Sequence, residues 1–482
     1  MSDLMIPSTM IVGGEYVSIL NEERYNIFSP ADGQPVGSVP LGHDGDARRA
    51  MSAAASSLPR WREVPARRRA EVIERGIELV EEHASKLAVV LTREQGKPLA
   101  EATAELAAFI TRMRSFARLA RSTPDGYISL FASKRASCRP PFADGVTVAL
   151  VSWNFPVGLL AKRIGPSLLA GGTVVVKPAF STPLTTLGIV GLMNDAGLPP
   201  GVLNCVTGRG NQIGAALVAH PAASRVHLTG DDATGRMVAE AAAQYDPELL
   251  LELAGSDPMI VCRDADLAKA VDGAVIGRYL NAGQVCTAVK RLYVDDAVYE
   301  EFVSELCRRV RLVKPGNGLT PATAPHRRLG PLHTAEQRDR IELQLQDAVT
   351  RGAQVLVGGR RPTDSELAHG YYFEPTVVVD VDPASRLVCE EVFGPVLPVF
   401  RTRDVADAIR QANASQWDLS ASIWTEDYEM ARRVSPEIRC RQLWINRVHF
   451  GSEHLFREGD VLASTRVAAG RNGALGDATG PV

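Results

Sequence analysis

The chain has 482 residues, 45% of them hydrophobic and 23% charged, and carries a formal net charge of -3. That length exceeds one ordinary core, so two or three domains are expected. The slight acidity argues against nucleic acid as a partner. The longest apolar runs, such as 148–151 and 174–176, fall far short of the ~20 residues needed to cross a bilayer. The segment Met1 to Met10 has no basic region followed by an apolar one, so no secretory leader is expected. Seven cysteines stand at 138, 205, 262, 286, 307, 389 and 440, none in a CxxC pair. An odd, scattered set argues against a disulfide framework or a metal site and for a reducing cytoplasm.

In chain order, residues 12 to 40 read as short strands and turns, with Ser-Pro-Ala-Asp-Gly at 29 to 33 as a turn signal. The spacing of apolar residues from Asp44 to about Ala120 predicts helices. Residues 122 to 145, with Tyr127, Ile128, Leu130 and Phe131 followed by Pro140 and Pro141, read as an extended arm. Strands at 146–151, 173–177, 202–206 and 225–228 then alternate with helices at 156–170, 183–196, 212–220 and 233–243. Such alternation predicts a parallel, doubly wound sheet, which binds nucleotides at the carboxyl ends of its strands. A second alternating region runs from about Leu251 to Asn446. Its helices fall near 265–278, 297–312, 334–351, 403–412 and 427–434. Its strands fall near 259–262, 292–294, 354–357, 374–380 and 442–445. The Gly-rich tail from Gly470 reads as loose.

Six places carry chemistry. Cys286 follows Gly283 and Gln284 between a predicted helix and a predicted strand, where backbone N–H groups can favour a thiolate. Most cysteines are small buried hydrophobes, and Cys205 and Cys262 take that reading. Glu252 lies in the apolar run Leu-Leu-Leu-Glu-Leu; desolvation would raise its pKa and suit it as a general base, unless it pairs with an arginine. Asn154 ends a strand and can hold an oxyanion or be an ordinary turn residue. The segment 206–214 follows a strand and opens a helix. Its Gly208, Gly210 and Gly214 allow close approach of a phosphate, although Gly-rich turns are common. Lys177 and Glu391 can meet ribose hydroxyls, or be solvated surface charges.

Taken together, Trp-Asn-Phe-Pro, Lys-Pro, Gly-x-Gly-x-x-x-Gly, Leu-Glu-Leu, Gly-Gln-x-Cys and Glu-Glu-x-Phe-Gly-Pro resemble, in that order, the aldehyde dehydrogenase superfamily of the non-acylating type. The likeness spans roughly Asn26 to Asn446, and the phrase Glu94-Gln-Gly-Lys-Pro-Leu-Ala-Glu101 is also family-like. The resemblance implies an α/β fold with a Rossmann-like doubly wound cofactor domain, an α/β catalytic domain and a small β arm for oligomerisation. It places the dinucleotide-binding domain in 1–121 and 146–251, the catalytic domain in 252–440, and the arm and divergent tail in 122–145 and 441–482. It implies a cytoplasmic homodimer or homotetramer acting on a small aldehyde with NAD or NADP. Cys286 would be the nucleophile, Asn154 and the Cys286 N–H the oxyanion donors, and Glu252 the base that activates water. Ser152, Trp153, Lys177, Gly208, Gly210, Gly214, Gly230, Asp231, Leu253, Glu391 and Phe393 would surround the cofactor. A binding protein that has lost catalysis and a CoA-acylating enzyme are the alternatives.

Several positions depart from the family pattern. Phe180 stands where NAD-preferring members carry Glu, and no basic residue adjoins it in sequence. Asp231 stands where Ser usually meets the pyrophosphate, and Ser152 where Pro precedes Trp. The segment Leu455 to Arg466 and the tail lack the usual turn and final strand. Leu280 replaces the Arg that holds a substrate carboxylate in succinate semialdehyde members; Lys162 is another cation near Pro156. A neutral, partly apolar aldehyde is therefore expected.

Overall fold

The computed structural model describes residues 7–17, 23–122, 145–320 and 328–449. The expected arm, apart from Ser122 and Gly145, and everything from Phe450 onward lie outside the described residues.

The described chain folds around two seven-stranded sheets. The first is ordered β2-β1-β7-β6-β5-β8-β9. Its strands are β1 Met10–Val12, β2 Glu15–Val17, β5 Val146–Leu150, β6 Thr173–Lys177, β7 Leu203–Cys205, β8 Ala223–Thr229 and β9 Glu248–Glu252. The hairpin β3 Arg24–Phe28 and β4 Pro35–Pro40 stands apart from it. β5 to β9 run parallel, while β1 is antiparallel to β7 and β2 to β1. Every residue of β5 and β6 is buried, as expected of strands whose Val-rich runs are covered on both faces by helices. Those helices are α1 Asp44–Glu63, α2 Ala66–Glu82, α3 Ala84–Gln95, α4 Leu99–Ser122, α5 Pro156–Ala170, α6 Leu184–Asp195, α7 Ala215–Val218 and α8 Asp232–Ala242.

From β5 the chain steps outward through β6 to β7, then returns to lay β8 on the other side of β5. A crevice opens at this reversal, where open α/β sheets take their ligands. Register brings the strand ends into line: Leu150 lies opposite both Lys177 and Leu228, and Thr229 opposite Glu252. Glu252 thus closes the last strand of the first sheet.

The second sheet is ordered β14-β15-β16-β11-β10-β17-β18. It comprises β10 Asp257–Val261, β11 Val289–Asp295, β14 Gln354–Val357, β15 Thr376–Val379, β16 Val396–Thr402, β17 Ser420–Trp424 and β18 Gln442–Ile445; β12 Lys314–Pro315 and β13 Arg328–Leu329 form a minor pair. β16 and β17 are strands the sequence reading omits, and β18 carries this sheet past the boundary expected at 440. α9 Leu267–Tyr279 and α10 Tyr299–Val310 flank the sheet with α11 Ala335–Thr350. No described helix is long and apolar enough to cross a membrane.

Candidate active site

A groove of about 550 Å³ follows the carboxyl edge of the first sheet and ends at Cys286. Its lining includes Ser152, Trp153, Asn154, Lys177, Gly210, Gly214, Gly230, Asp231, Leu253, Glu391 and Phe393. Two expected residues are set apart from that lining. Gly208 has φ +146, and a Cβ there would meet the Gly42 carbonyl at 2.7 Å, so its missing side chain serves backbone packing. Glu252 lies beside the groove behind Thr229, whose hydroxyl donates to Glu252 Oε2 at 3.1 Å.

α5 sets the first half of the site. Pro156 starts it, where the missing N–H costs nothing. Glu105 of α4 accepts from the N–H groups of Val157 and Gly158 at 2.9 and 2.8 Å, a carboxylate on the positive end of a helix. Lys97 is buried, bonds Glu105, and donates to the Asn154 carbonyl at 2.8 Å. Ser152 donates to Asn154 Oδ1 at 2.6 Å, which turns the amide so that Nδ2 donates to the Gln284 carbonyl at 3.0 Å. The amide is held by one of its two N–H bonds, which leaves the other for a ligand.

The loop before Cys286 is wound against its backbone preference. Asn281, Ala282 and Gly283 all have positive φ, at 50, 54 and 74. Two non-glycine residues in this region imply strain that the surroundings must hold. Glu101 accepts from Asn281 N at 2.8 Å, Asn281 Nδ2 donates to the Asn154 carbonyl at 2.9 Å, and Gln95 Nε2 donates to Asn281 Oδ1 at 3.1 Å. Arg278, fully buried, donates to the carbonyls of Gly283, Val289, Val392 and Gly394. Among the described residues the Cys286 N–H has no acceptor. An unspent donor beside Asn154 is what an oxyanion site needs.

The electrostatics correct two expectations. Burial pushes the Cys286 thiol up to about 11, against the pull of Lys290, so the loop does not favour a resting thiolate. Burial also works to raise Glu252, but Arg163 and Lys162 outweigh it and hold the carboxyl down near 2. Arg163 Nη2 bonds Glu252 Oε2 at 2.7 Å and Thr229 Oγ1 at 2.8 Å. Glu252 is therefore an ion-paired carboxylate in this arrangement, not a carboxyl of raised pKa.

The cofactor-side residues are also engaged. Lys290 donates to Glu391 Oε1 at 2.6 Å and to the Cys286 and Gly255 carbonyls at 2.8 and 2.7 Å. Lys177 donates to the Pro178 carbonyl at 2.8 Å. Asp231 caps α8 by accepting from Thr234 N at 2.7 Å, so its charge sits where an anion would approach the helix. Trp153 stacks on the His333 ring at 4.4 Å and meets Phe393 edge-on at 5.6 Å. Phe180 stacks on Tyr25 at 3.9 Å, and the Arg209 guanidinium lies 5.1 Å from the Phe180 ring centre. The cation that sequence adjacency did not supply to Phe180 thus comes from the turn after β7.

Sequence reasoning passed over Arg163, Lys290, Arg278, Lys97, Glu105 and Arg209. The phrase 94–101 was the available signal for Lys97 and Glu101. Arg163 gave none because Glu252 lies 89 residues on, and Arg278 because the Val392 and Gly394 carbonyls lie 114 and 116 residues on.

A thiol, an amide donor and an unspent N–H at the end of a dinucleotide-sized groove define an oxidoreductase with a cysteine nucleophile. The chain belongs to the aldehyde dehydrogenase family, whose model matches residues 17–464. It is 36% identical over 435 residues to the glutarate-semialdehyde dehydrogenase of Pseudomonas putida, covering 90% of this chain and 88% of that one. It is 37% identical over 444 residues to the succinate-semialdehyde dehydrogenase [NADP(+)] of Escherichia coli, covering 90% and 89%. Its fold matches the crystal structure of betaine aldehyde dehydrogenase from Staphylococcus aureus in complex with NAD+, with a TM-score of 0.85 and 32% identity over 92% of this chain and 88% of that one.

Proposed function

We propose that this chain oxidises a small aldehyde to its carboxylic acid, with Cys286 as nucleophile and NAD or NADP as hydride acceptor. The observation that carries this reading is the meeting of Cys286, with its unspent N–H, and Asn154 at one end of the groove.

The groove fits a dinucleotide. Its volume falls in the range of ligand pockets, ~300–1,000 Å³. At Gly210 the space a Cβ would occupy is open, so the backbone can be approached closely. Lys177 and Glu391 would hold riboses, Trp153 and Gly230 the pyrophosphate region, and Phe393 the nicotinamide end. When bound, the nicotinamide supplies a two-electron acceptor for hydride.

Cys286 gives its proton to solvent water as the aldehyde arrives, and the sulfur attacks the carbonyl carbon. The C–S bond forms and the carbonyl electron pair moves to oxygen, where Asn154 Nδ2 and Cys286 N–H receive it. Loss of hydride from carbon leaves a thioester on Cys286. Water, giving its proton to Glu252, adds to that carbon; the C–S bond breaks, the thiolate leaves and the acid departs. Glu252 near 2 is a weak base, so this step requires the Arg163 ion pair to slacken. Residues 1–121 and 146–251 would carry the dinucleotide and 252–440 the nucleophile, with 122–145 and 441–482 serving a homodimer or homotetramer in the cytoplasm.

Cys286→Ser should abolish reduced-nicotinamide production while dinucleotide binding persists; surviving turnover would refute the nucleophile. Glu252→Gln should leave a single burst of reduced nicotinamide and a trapped thioester. Full steady-state turnover in that variant would refute the base.

One observation favours a second reading of the substrate, with an anionic tail instead of the neutral one expected. Lys162 has no ion pair among the described residues, and burial lowers its pKa while Glu252 and Cys286 raise it. With Arg163 and Arg112 nearby, the field around Glu252 is net positive. A homologous pair of aldehydes with and without a terminal carboxylate, compared by kcat/KM, decides between the two.

A further inference from the structure

We propose that Lys290 is a positioning residue, a buried cation clamped between Glu391 in the groove wall and the backbone of the nucleophile, through which a ligand drawn to Glu391 is felt at the Cys286 thiol. The proposal rests on the dinucleotide reading above and deepens it with a residue that touches neither substrate nor cofactor.

Three observations converge. The first is how Lys290 is aimed. β10 and β11 pair Asp257 with Val289 but Pro258 with Arg291, so Lys290 is the extra residue of a β-bulge. A bulge turns its side chain out of the regular alternation, here toward the turn that carries Cys286. The second is how the ammonium is spent. Its N–H donors meet the Gly255 carbonyl at 2.7 Å, the Cys286 carbonyl at 2.8 Å and Glu391 Oε1 at 2.6 Å. The side chain is fully buried behind the groove wall, and all of its donors are used. A buried cation depends on its partners, so a change at one is felt by the others.

The third observation is the state of Glu391, which lines the groove together with Cys286. Its Oε1 accepts from Lys290 and from the Gly255 N–H at 3.3 Å, whereas Oε2 has no hydrogen bond among the described residues. One oxygen holds the ion pair, and the other is left for hydroxyl donors of a ligand. Around the thiol stand Lys290 of β11 and Lys162 of α5, which favour the thiolate, and Glu252 of β9 and Asp257 of β10, which oppose it. Glu391 and Asp257 face Lys290 and offset its charge, and Arg278 of α9 acts on Glu391 in turn. Hydroxyls donating to Oε2 draw the Glu391 charge outward, so less of Lys290 is neutralised and the thiol becomes more acidic. An occupied groove thus readies the nucleophile, and an empty one keeps it a thiol.

The test is alkylation of Cys286 by iodoacetamide between about pH 7 and 10, read by mass spectrometry in the full chain, Lys290→Met, Lys290→Arg and Glu391→Gln. Lys290→Met should slow the reaction by about tenfold, and Lys290→Arg, which keeps the charge, should stay within about threefold of the wild type. Glu391→Gln should quicken it by at least about threefold, because the cation beside the thiol is then unopposed. The two losses act in opposite directions, which general damage to the fold would not produce. Glu391→Gln keeps Lys290 in place and carries the test where Lys290→Met does not fold. Saturating NADH or NADPH, whose reduced rings carry no charge, should change the rate by a factor at least about threefold larger in the wild type than in Glu391→Gln, since any screening of the thiol by the ligand is common to both. An unchanged rate in Lys290→Met, or a slower one in Glu391→Gln, would overturn the proposal. So would equal factors in the two proteins when a dinucleotide is bound. Failure of the wild type to bind either dinucleotide, read by its fluorescence, would overturn the coupling together with the dinucleotide reading beneath it.

Discussion

Replacing Arg163 by Gln removes the charge that holds Glu252 ionised but keeps a side chain able to donate to it. The carboxyl stands near 2 against an ordinary 4.5, so its surroundings favour the charged form by about 3 kcal/mol at ~1.4 kcal/mol per pH unit. The folded pKa is depressed, so this stability is present above pH about 4.5, and it is lost as pH falls toward 2. In Arg163→Gln burial gains weight and the Glu252 pKa should climb to the ordinary value or above. The wild type should then show no acid limb from this group in thioester hydrolysis above about pH 4, whereas the variant should show one between about pH 5 and 7. Rapid-quench release of the acid product, followed against pH, reads the limb directly. Urea midpoints at about pH 7 and pH 3 read the linkage: the wild type should lose stability on acidification where the variant loses little from this group. Removing one partner of a buried pair also costs about 3–5 kcal/mol of stability at neutral pH. Arg163→Lys, which keeps the charge, should restore the wild-type profile. A variant whose hydrolysis profile and pH-dependent stability both match the wild type would refute the ion-pair argument.

Three further outcomes are expected. Asp231→Ser keeps an N-cap but deletes the charge at the start of α8, and dinucleotide affinity measured by fluorescence should rise about fivefold, or ~1 kcal/mol, with thermal stability unchanged. Ser152→Ala frees the Asn154 amide to rotate, so kcat should fall by about tenfold, the worth of one buried hydrogen bond, while KM for the dinucleotide holds. The Cys286 thiol near 11 should be alkylated about tenfold faster for each pH unit gained between about pH 7 and 10, read by mass spectrometry; a plateau near neutrality would show a resting thiolate instead.

The first sheet is legible in sequence because Val146–Leu150 and Thr173–Lys177 are apolar runs of strand length between helical patterns. The second sheet is less so. β16 contains Pro398, a residue that argues against a strand between two neighbours, yet it pairs with Val378 of β15. β17 reads Ser-Ala-Ser-Ile-Trp, with little β-branched content to mark it. At the site, the residue types were visible but their states were not. Glu252 looked isolated in an apolar run because its partner, Arg163, lies 89 residues earlier on α5 and reaches it beside its register neighbour Thr229. Phe180 looked like a lost acceptor because the cation over its ring belongs to another strand's turn.

Arg278 has a bearing on how the molecule breathes. It is a buried cation that donates to the Val289 carbonyl at the start of β11 and to carbonyls of the loop bearing Cys286 and of the loop bearing Glu391 and Phe393. Neither loop alone can solvate that charge, so swinging one away strands a guanidinium in an apolar interior. The two loops should therefore open together. Amide deuteration at Gly283 and at Gly394 should report one shared opening free energy, although 111 residues separate them in the chain, because the nucleophile and the far wall of its groove belong to one cooperative unit.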